Sequence, residues 1–99
     1  MELFNFLYRK NRWSNETFPQ CTVKGVIDHI EREIVEIKEK PDDLEEWIDL
    51  LLLAFDGCNR IGATPYEVCK MLEYKQDKNT KRKWFFVGED KGYDRIRED

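Results

Sequence analysis

Apolar residues recur at Val23, Val26, Ile27, Ile30, Ile34 and Ile37, a spacing of three and four that marks one face of a helix. It predicts an amphipathic helix from about Thr22 to Lys40, stopped by Pro41. A shorter first helix is expected over "ELFNFLYRKN", Glu2 to Asn11, followed by an irregular "RWSNETFPQ" that Pro19 closes. A third helix begins at "PDDLEE", where Asp42 or Asp43 caps it and acidic residues fill the first turn. It should run to about Ile61 and end at Gly62. The fourth opens with "TPYE": Thr64 as cap, Pro65 at the first helical position and Glu67 completing a capping box. It is expected to continue to about Lys83, giving way to "WFFVGEDKGYDRIRED", an aromatic patch, a glycine-flanked turn and a charged tail.

Projected at about 100° per residue, the third helix carries apolar residues around most of its circumference, from Leu44 through Trp47, Ile48, the four leucines Leu50 to Leu53, Phe55 and Ile61. Such a helix belongs at the centre of a bundle. One chain of 99 residues has few helices to surround it. The pattern therefore predicts a single all-α domain over residues 1–99, about four helices with 84–99 as a tail, whose core is completed by oligomerisation into a homodimer or homotetramer.

Composition adds boundaries to this picture. A hydrophobic fraction of 40% beside 38% charged residues describes an ordered, soluble chain. The net charge of −4 repels polyanions as a whole, so phosphate binding needs a local basic patch and nucleic acid is not an expected partner. Cys21, Cys58 and Cys69 are odd in number and lack a CxxC spacing, which suits neither a disulfide framework nor a zinc site and favours a reducing, cytoplasmic setting. No apolar run approaches the roughly 20 residues that span a bilayer, and no signal peptide is visible.

Chemistry enters through the acids. Glu33 and Glu36 lie three apart at the edge of the isoleucine stripe; Glu46 and Asp49 repeat the spacing on the third helix. A tight connection containing Pro41 should make these two helices antiparallel, with the four carboxylates near one end of the pair. Crowded carboxylates repel unless cations lie between them, and all-oxygen ligation suits Mg²⁺ or Mn²⁺. Asp49, on an otherwise apolar helix, reads as buried, which costs several kcal/mol unless it is paired or coordinated. More ordinary readings stand beside this one: Glu46 as a cap, Glu33 or Glu36 paired with Arg32 or Lys40, and Asp56 paired with Arg60 four residues on.

Along the fourth helix Val68, Leu72, Lys75 and Asn79 share a sector with Arg82 beside it. Lys75, Asn79 and Arg82 are placed to reach a phosphate, or "KQDKNTKRK" is a solvated helix end that complements the dipole. Residues 56–83 also admit a helix-turn-helix reading, which the acidic charge opposes. His29, on the same side of its helix as Glu33 and Glu36, could orient a carboxylate. Trp13, Phe18 and Trp47 offer a surface on which a base could stack, or they fill the core. No nucleophile triad and no glycine-rich phosphate loop is present.

With "RWSNETF", "GVIDHIEREIVEI", "PDDLEEWIDLLLLAFDG" and "KQDKNTKRKW" in order, the chain resembles the phage and prophage dATP/dGTP diphosphohydrolases of the all-α NTP pyrophosphatase (MazG-like) superfamily. It departs from them at "TFPQ" and at "KWFFVGEDKG". The resemblance implies a MazG-like bundle and a Mg²⁺- or Mn²⁺-dependent pyrophosphohydrolase that converts a purine deoxynucleoside triphosphate to the monophosphate and pyrophosphate, working in the cytoplasm, the host's if the gene is a phage's. It makes Glu33, Glu36, Glu46 and Asp49 the metal-binding catalytic set. Lys75 and Asn79 fall on phosphate-contacting positions; Arg82 and Trp13 join them as expected substrate contacts from their placement and residue type, not from the resemblance. The competing expectation is a non-catalytic oligomeric helical module whose acids are structural.

Overall fold

The computed structural model describes residues 1–97, so the last two residues of the expected tail lie outside it. Its elements are α1 (Leu3–Thr17), α2 (Val23–Glu39), α3 (Leu44–Arg60), α4 (Pro65–Lys81), β1 (Trp84–Gly88) and β2 (Gly92–Arg95). The described residues fall into two compact units, the first Met1–Cys69 and the second from Lys70 onward, with the boundary inside α4.

Of the two expected acidic caps for the third helix Asp43 is the one used, the Thr64–Glu67 box forms, and Thr22 caps the second helix. Thr22 Oγ1 accepts from the Gly25 N–H at 3.2 Å and begins α2, and Asp43 Oδ1 accepts from the Glu45 N–H at 3.0 Å and begins α3. At α4 the box closes in both directions: the Glu67 N–H donates to Thr64 Oγ1 at 3.1 Å, and the Thr64 N–H donates to Glu67 Oε1 at 3.0 Å. The Thr64 backbone donor, then its hydroxyl, hold the Glu67 carboxyl below its ordinary range.

At the end of α3, the Gly62 N–H donates to Asn59 O and the Ala63 N–H to Cys58 O, with Gly62 at φ +90°. That is the Schellman arrangement, which needs a left-handed residue and so a glycine.

Two elements differ from the sequence reading. First, α1 does not stop near Asn11; it continues to Thr17 through the stretch expected to be irregular. Nothing in residues 11–17 breaks a helix, and Ser14 and Asn15 are held by side chains of α3. The break comes at Phe18, which precedes Pro19 and is thereby pushed out of helical geometry.

Second, the tail forms an antiparallel hairpin, Trp84 opposite Arg95 and Phe86 opposite Tyr93. Its turn is closed by the Lys91 N–H on Gly88 O, with Gly92 left-handed at φ +68°, and the ladder is irregular on β1 between Phe86 and Gly88. The Phe86 and Tyr93 rings meet edge to face at 5.2 Å.

In the first unit α2 and α3 pack antiparallel: Glu33 lies beside Glu46 and Asp49, while seven residues back Val26 lies against Gly57, whose absent Cβ would sit 3.7 Å from it. Only Leu7, Val26 and Ile37 are fully buried apolar residues among those described. The leucine-rich helix is not enclosed by its own chain: Leu44 is 72% exposed and Leu51 46%, with Trp47 and Ile48 also exposed. Asp49 is exposed too, contrary to the expectation of a buried acid. The buried acid of α3 is Asp56.

Gly62→Ala should cost about 1 kcal/mol, the steric penalty of a side chain at left-handed φ. Urea denaturation of the two proteins side by side measures it, and equal midpoints would show that the helix ends without this cap.

Candidate functional site

Glu33 sits on α2 at the edge of the apolar stripe, and the close approach of α3 buries it to 5% exposure. Across from it α3 presents Glu46, half-buried, and Asp49, one turn on; one carboxylate oxygen from each of the three lies within 4.8 Å of the others. Glu33 Oε1 and Glu46 Oε2 are buried with no hydrogen-bond donor. Ionised carboxylates have only acceptors to offer one another, so a proton is the one relief available to the bare cluster. The Glu33 carboxyl is accordingly pushed up to about 7, by sharing a hydrogen bond with Glu46, by burial, and by the bond and charge of Glu36 on the next turn. Three of the four expected acids thus converge, and the fourth acts on the cluster through Glu33.

The ordinary pairings do not absorb these acids. Arg32 reaches back to Asp28 at 3.1 Å, in the open. Glu46 does not cap α3; Asp43 does.

Asp56 has the opposite environment. It takes the Ser14 hydroxyl on Oδ1 at 2.7 Å and the Arg60 Nε on Oδ2 at 3.4 Å, the pair being almost fully buried. Arg60 also donates Nη2 to Ser14 Oγ at 2.7 Å and to Ser14 O at 3.2 Å, and Nη1 to Phe18 O at 3.1 Å. Asn59 adds a bond to Asn15 at 2.8 Å. Burial alone would raise Asp56, but Ser14, Asn59, Arg60 and Lys10 outweigh it and hold its carboxyl below the ordinary range. This network fastens the end of α1 to the end of α3.

Between the three helices lies a cleft of about 500 Å³. Glu33 and Asp49 line it, with His29, Val26, Leu52, Leu53 and Asp56, and α1 with its following loop contributes Lys10, Trp13, Ser14, Phe18 and Cys21. The Trp13 and Phe18 rings meet edge to face at 5.3 Å. Trp13 therefore stands in one cleft with Glu33 and Asp49. Trp47 is not part of that wall; its indole N–H donates to Pro41 O at 2.9 Å and braces the turn before α3. Sequence reasoning missed Lys10 and Ser14. Their only signal was the spacing of four that sets them on one face of α1, hidden by reading residues 12–20 as irregular.

The basic residues belong to the second unit. Arg82 donates Nη1 to Asn79 Oδ1 at 2.9 Å, and the Trp84 indole donates to Asn79 O. Lys75 is exposed. Arg82 lines a concavity of about 430 Å³ with Lys78, Lys81, Lys83, Arg95 and Arg97, a wall that includes neither Lys75 nor Asn79. The crowding is felt at Arg95, whose pKa is lowered chiefly by the charge of Arg82 and then of Arg97.

The family model for dATP/dGTP pyrophosphohydrolases matches residues 6–98. The chain belongs to that family. As a pyrophosphohydrolase of deoxynucleoside triphosphates, it has the all-α MazG-like fold, which it shares with a cyanophage S-2L MazG-like pyrophosphohydrolase at a TM-score of 0.78 and 22% identity, over 98% of this chain and 99% of that one. That structure holds dGDP and three catalytic Mn²⁺ ions per active site. None of the curated proteins matches the chain. No helix among the described residues is long and apolar enough to cross a membrane.

The raised Glu33 fixes the sign of a pH effect. Its folded form holds a proton more tightly than an unfolded glutamate, so in the absence of divalent cation its contribution to stability is complete below about pH 4.5 and is lost as pH rises through about 7. The melting temperature of the pyrophosphohydrolase in EDTA should fall across that window, and fall less in Glu33→Gln. Parallel profiles would remove Glu33 from the account. Separately, Arg60→Leu should destabilise by about 3 kcal/mol, because it strands a buried carboxylate; a loss below 1 kcal/mol in denaturant titration would show the network to be dispensable.

Proposed function

We propose that the cleft is the active site, with Glu33, Glu36, Glu46 and Asp49 holding Mg²⁺ or Mn²⁺ and Trp13 packing against a purine base. The reading is carried by one observation: Glu33 Oε1 and Glu46 Oε2 are buried without a donor, beside Asp49, where Glu33 and Asp49 open onto a cleft whose remaining walls are largely apolar. Such oxygens fit a hard cation. The dGDP and Mn²⁺ of the cyanophage relative point to the same assignment.

Bound divalent cations supply charge neutralisation for the phosphates and acidify a water nearby. The chain's own residues do the rest. The acids place the α-phosphorus at one end of the cleft, and the ring of Trp13 fixes the other end of the nucleotide, which confines the reacting group to a narrow range of positions. A bond forms from the water oxygen to the α-phosphorus as the bridging oxygen between the α- and β-phosphorus atoms departs with pyrophosphate. The water's proton passes to a glutamate of the cluster. In the second unit, taken by itself, Lys75, Asn79 and Arg82 are proposed as anion-binding groups; the support is that Asn79 holds the Arg82 guanidinium in a set orientation, which suits a planar fork.

The active form is a homodimer or homotetramer. Exposed Leu44, Ile48 and Leu51 on α3, with Ile27, Ile34 and Val35 on α2, are more apolar surface than a small solvated chain carries without a partner. The three unpaired cysteines suit a reducing compartment.

Asp49→Asn and Glu46→Gln should each lower turnover of dGTP and dATP at least about a hundredfold, the scale of a lost charge-stabilising group, and abolish the rise in melting temperature that Mn²⁺ gives the parent protein. A parent protein that releases no pyrophosphate from either triphosphate, or that melts alike with and without Mn²⁺, would refute the assignment.

A further inference from the structure

The cleft has a direction, and it ends on a cation. Asp49 and Asp56 are seven residues apart on one face of α3, about 10 Å along the axis. On antiparallel α2, Glu33 and Val26 are separated by the same seven residues. The carboxylate cluster therefore occupies one end, and Asp56 marks the other. At that far end the wall is apolar, from Trp13, Phe18, Val26 and Leu53, apart from three polar groups of α1 and α3: Lys10, Ser14 and Asp56.

Two of those three are already committed. Ser14 donates to Asp56 and accepts from Arg60, and both oxygens of Asp56 are engaged, by Ser14 and Asn59 on one and Arg60 on the other. Asp56 is also only 8% exposed. Lys10 is different: it is half-buried, close enough to feel the charges of Asp56 and Arg60, yet its ammonium makes no hydrogen bond or ion pair among the described residues. A partly desolvated ammonium with no acceptor costs free energy that a ligand acceptor would recover. Asp56 is present to favour its charged form against the burial and the Arg60 charge that oppose it. His29 and the Cys21 thiol are the remaining titratable groups on this wall besides the acids; His29 is exposed and lies on α2 between Val26 and Glu33.

We propose that Lys10 reads the base of the substrate, its ammonium donating to O6 and N7 on the edge of guanine, and so makes the enzyme prefer dGTP to dATP. The inference rests on the nucleotide reading of the cleft and adds the residue that discriminates. Lysine has only donors. Guanine presents two acceptors on that edge, whereas adenine presents N7 beside an amino group that also donates. The amino group would face the ammonium donor to donor.

The test compares kcat/KM for dGTP, dITP, dATP and 7-deaza-dGTP in the parent enzyme, Lys10→Met and Lys10→Arg, with equilibrium binding of dGMP and dAMP as a readout that needs no turnover. In the parent, dGTP and dITP should exceed dATP, and 7-deaza-dGTP should fall below dGTP. Lys10→Met should lower the dGTP-to-dATP ratio of kcat/KM by roughly ten- to a hundredfold, the scale of one good base contact, with the dGMP-to-dAMP binding ratio falling in step. Lys10→Arg, which keeps the donor, should restore part of both ratios. Equal losses on both nucleotides, or a parent enzyme indifferent to the base, would overturn the role of Lys10 while leaving the hydrolytic reading intact. Absence of pyrophosphate from every triphosphate in the parent would overturn both.

Discussion

Three carboxylates within 4.8 Å of one another, two of them with a buried oxygen that no donor reaches, are the constraint around which this chain is arranged. Like charges at that separation repel strongly in a partly desolvated place. A fold under no functional demand would relieve the strain by turning a glutamate outward. Here the antiparallel packing of α2 on α3 buries Glu33 beside Glu46 and Asp49, with Val26 against Gly57 seven residues along the same pair of helices. The Glu33 carboxyl, pushed up to about 7 by its bond with Glu46, by burial and by Glu36, shows what that crowding does to a cluster without cations.

Asp49 and Asp56 lie on one face of α3 and meet opposite fates. Asp56 is surrounded by donors, stays ionised and serves as a structural anchor for α1 through Ser14 and Arg60. Asp49, two turns away, opens onto the cleft among carboxylates. The difference lies wholly in the neighbours, as it does wherever one protein assigns separate tasks to two carboxyl groups. The anchor also serves the cleft: by fixing the end of α1 it holds Trp13 and Lys10 in the wall opposite the acids.

Much of this was legible in the chain. The starts of α2, α3 and α4 and the end of α3 were set by Thr22, Asp43, Thr64 with Glu67, and Gly62, because capping is a matter of backbone donors within a few residues. The convergence of Glu33, Glu46 and Asp49 followed from helical spacing and a short connection containing Pro41. The extension of α1 and the closing hairpin were not legible. Ser14 and Asn15 are held by residues more than forty positions away, and a two-stranded hairpin is too weakly favoured locally to announce itself.

The sequence by itself determined the helices, the faces on which the acids lie and the family to which the chain belongs, since each depends on short-range periodicity and on residues in fixed order. Only the tertiary structure decided which acid is buried. Periodicity placed Asp49 on an apolar helix and took that for burial; the fold exposes Asp49 to the cleft and buries Asp56 and Glu33 instead. Burial is a property of what packs against a face, and for this chain that is settled by the angle at which α1 and α2 meet α3.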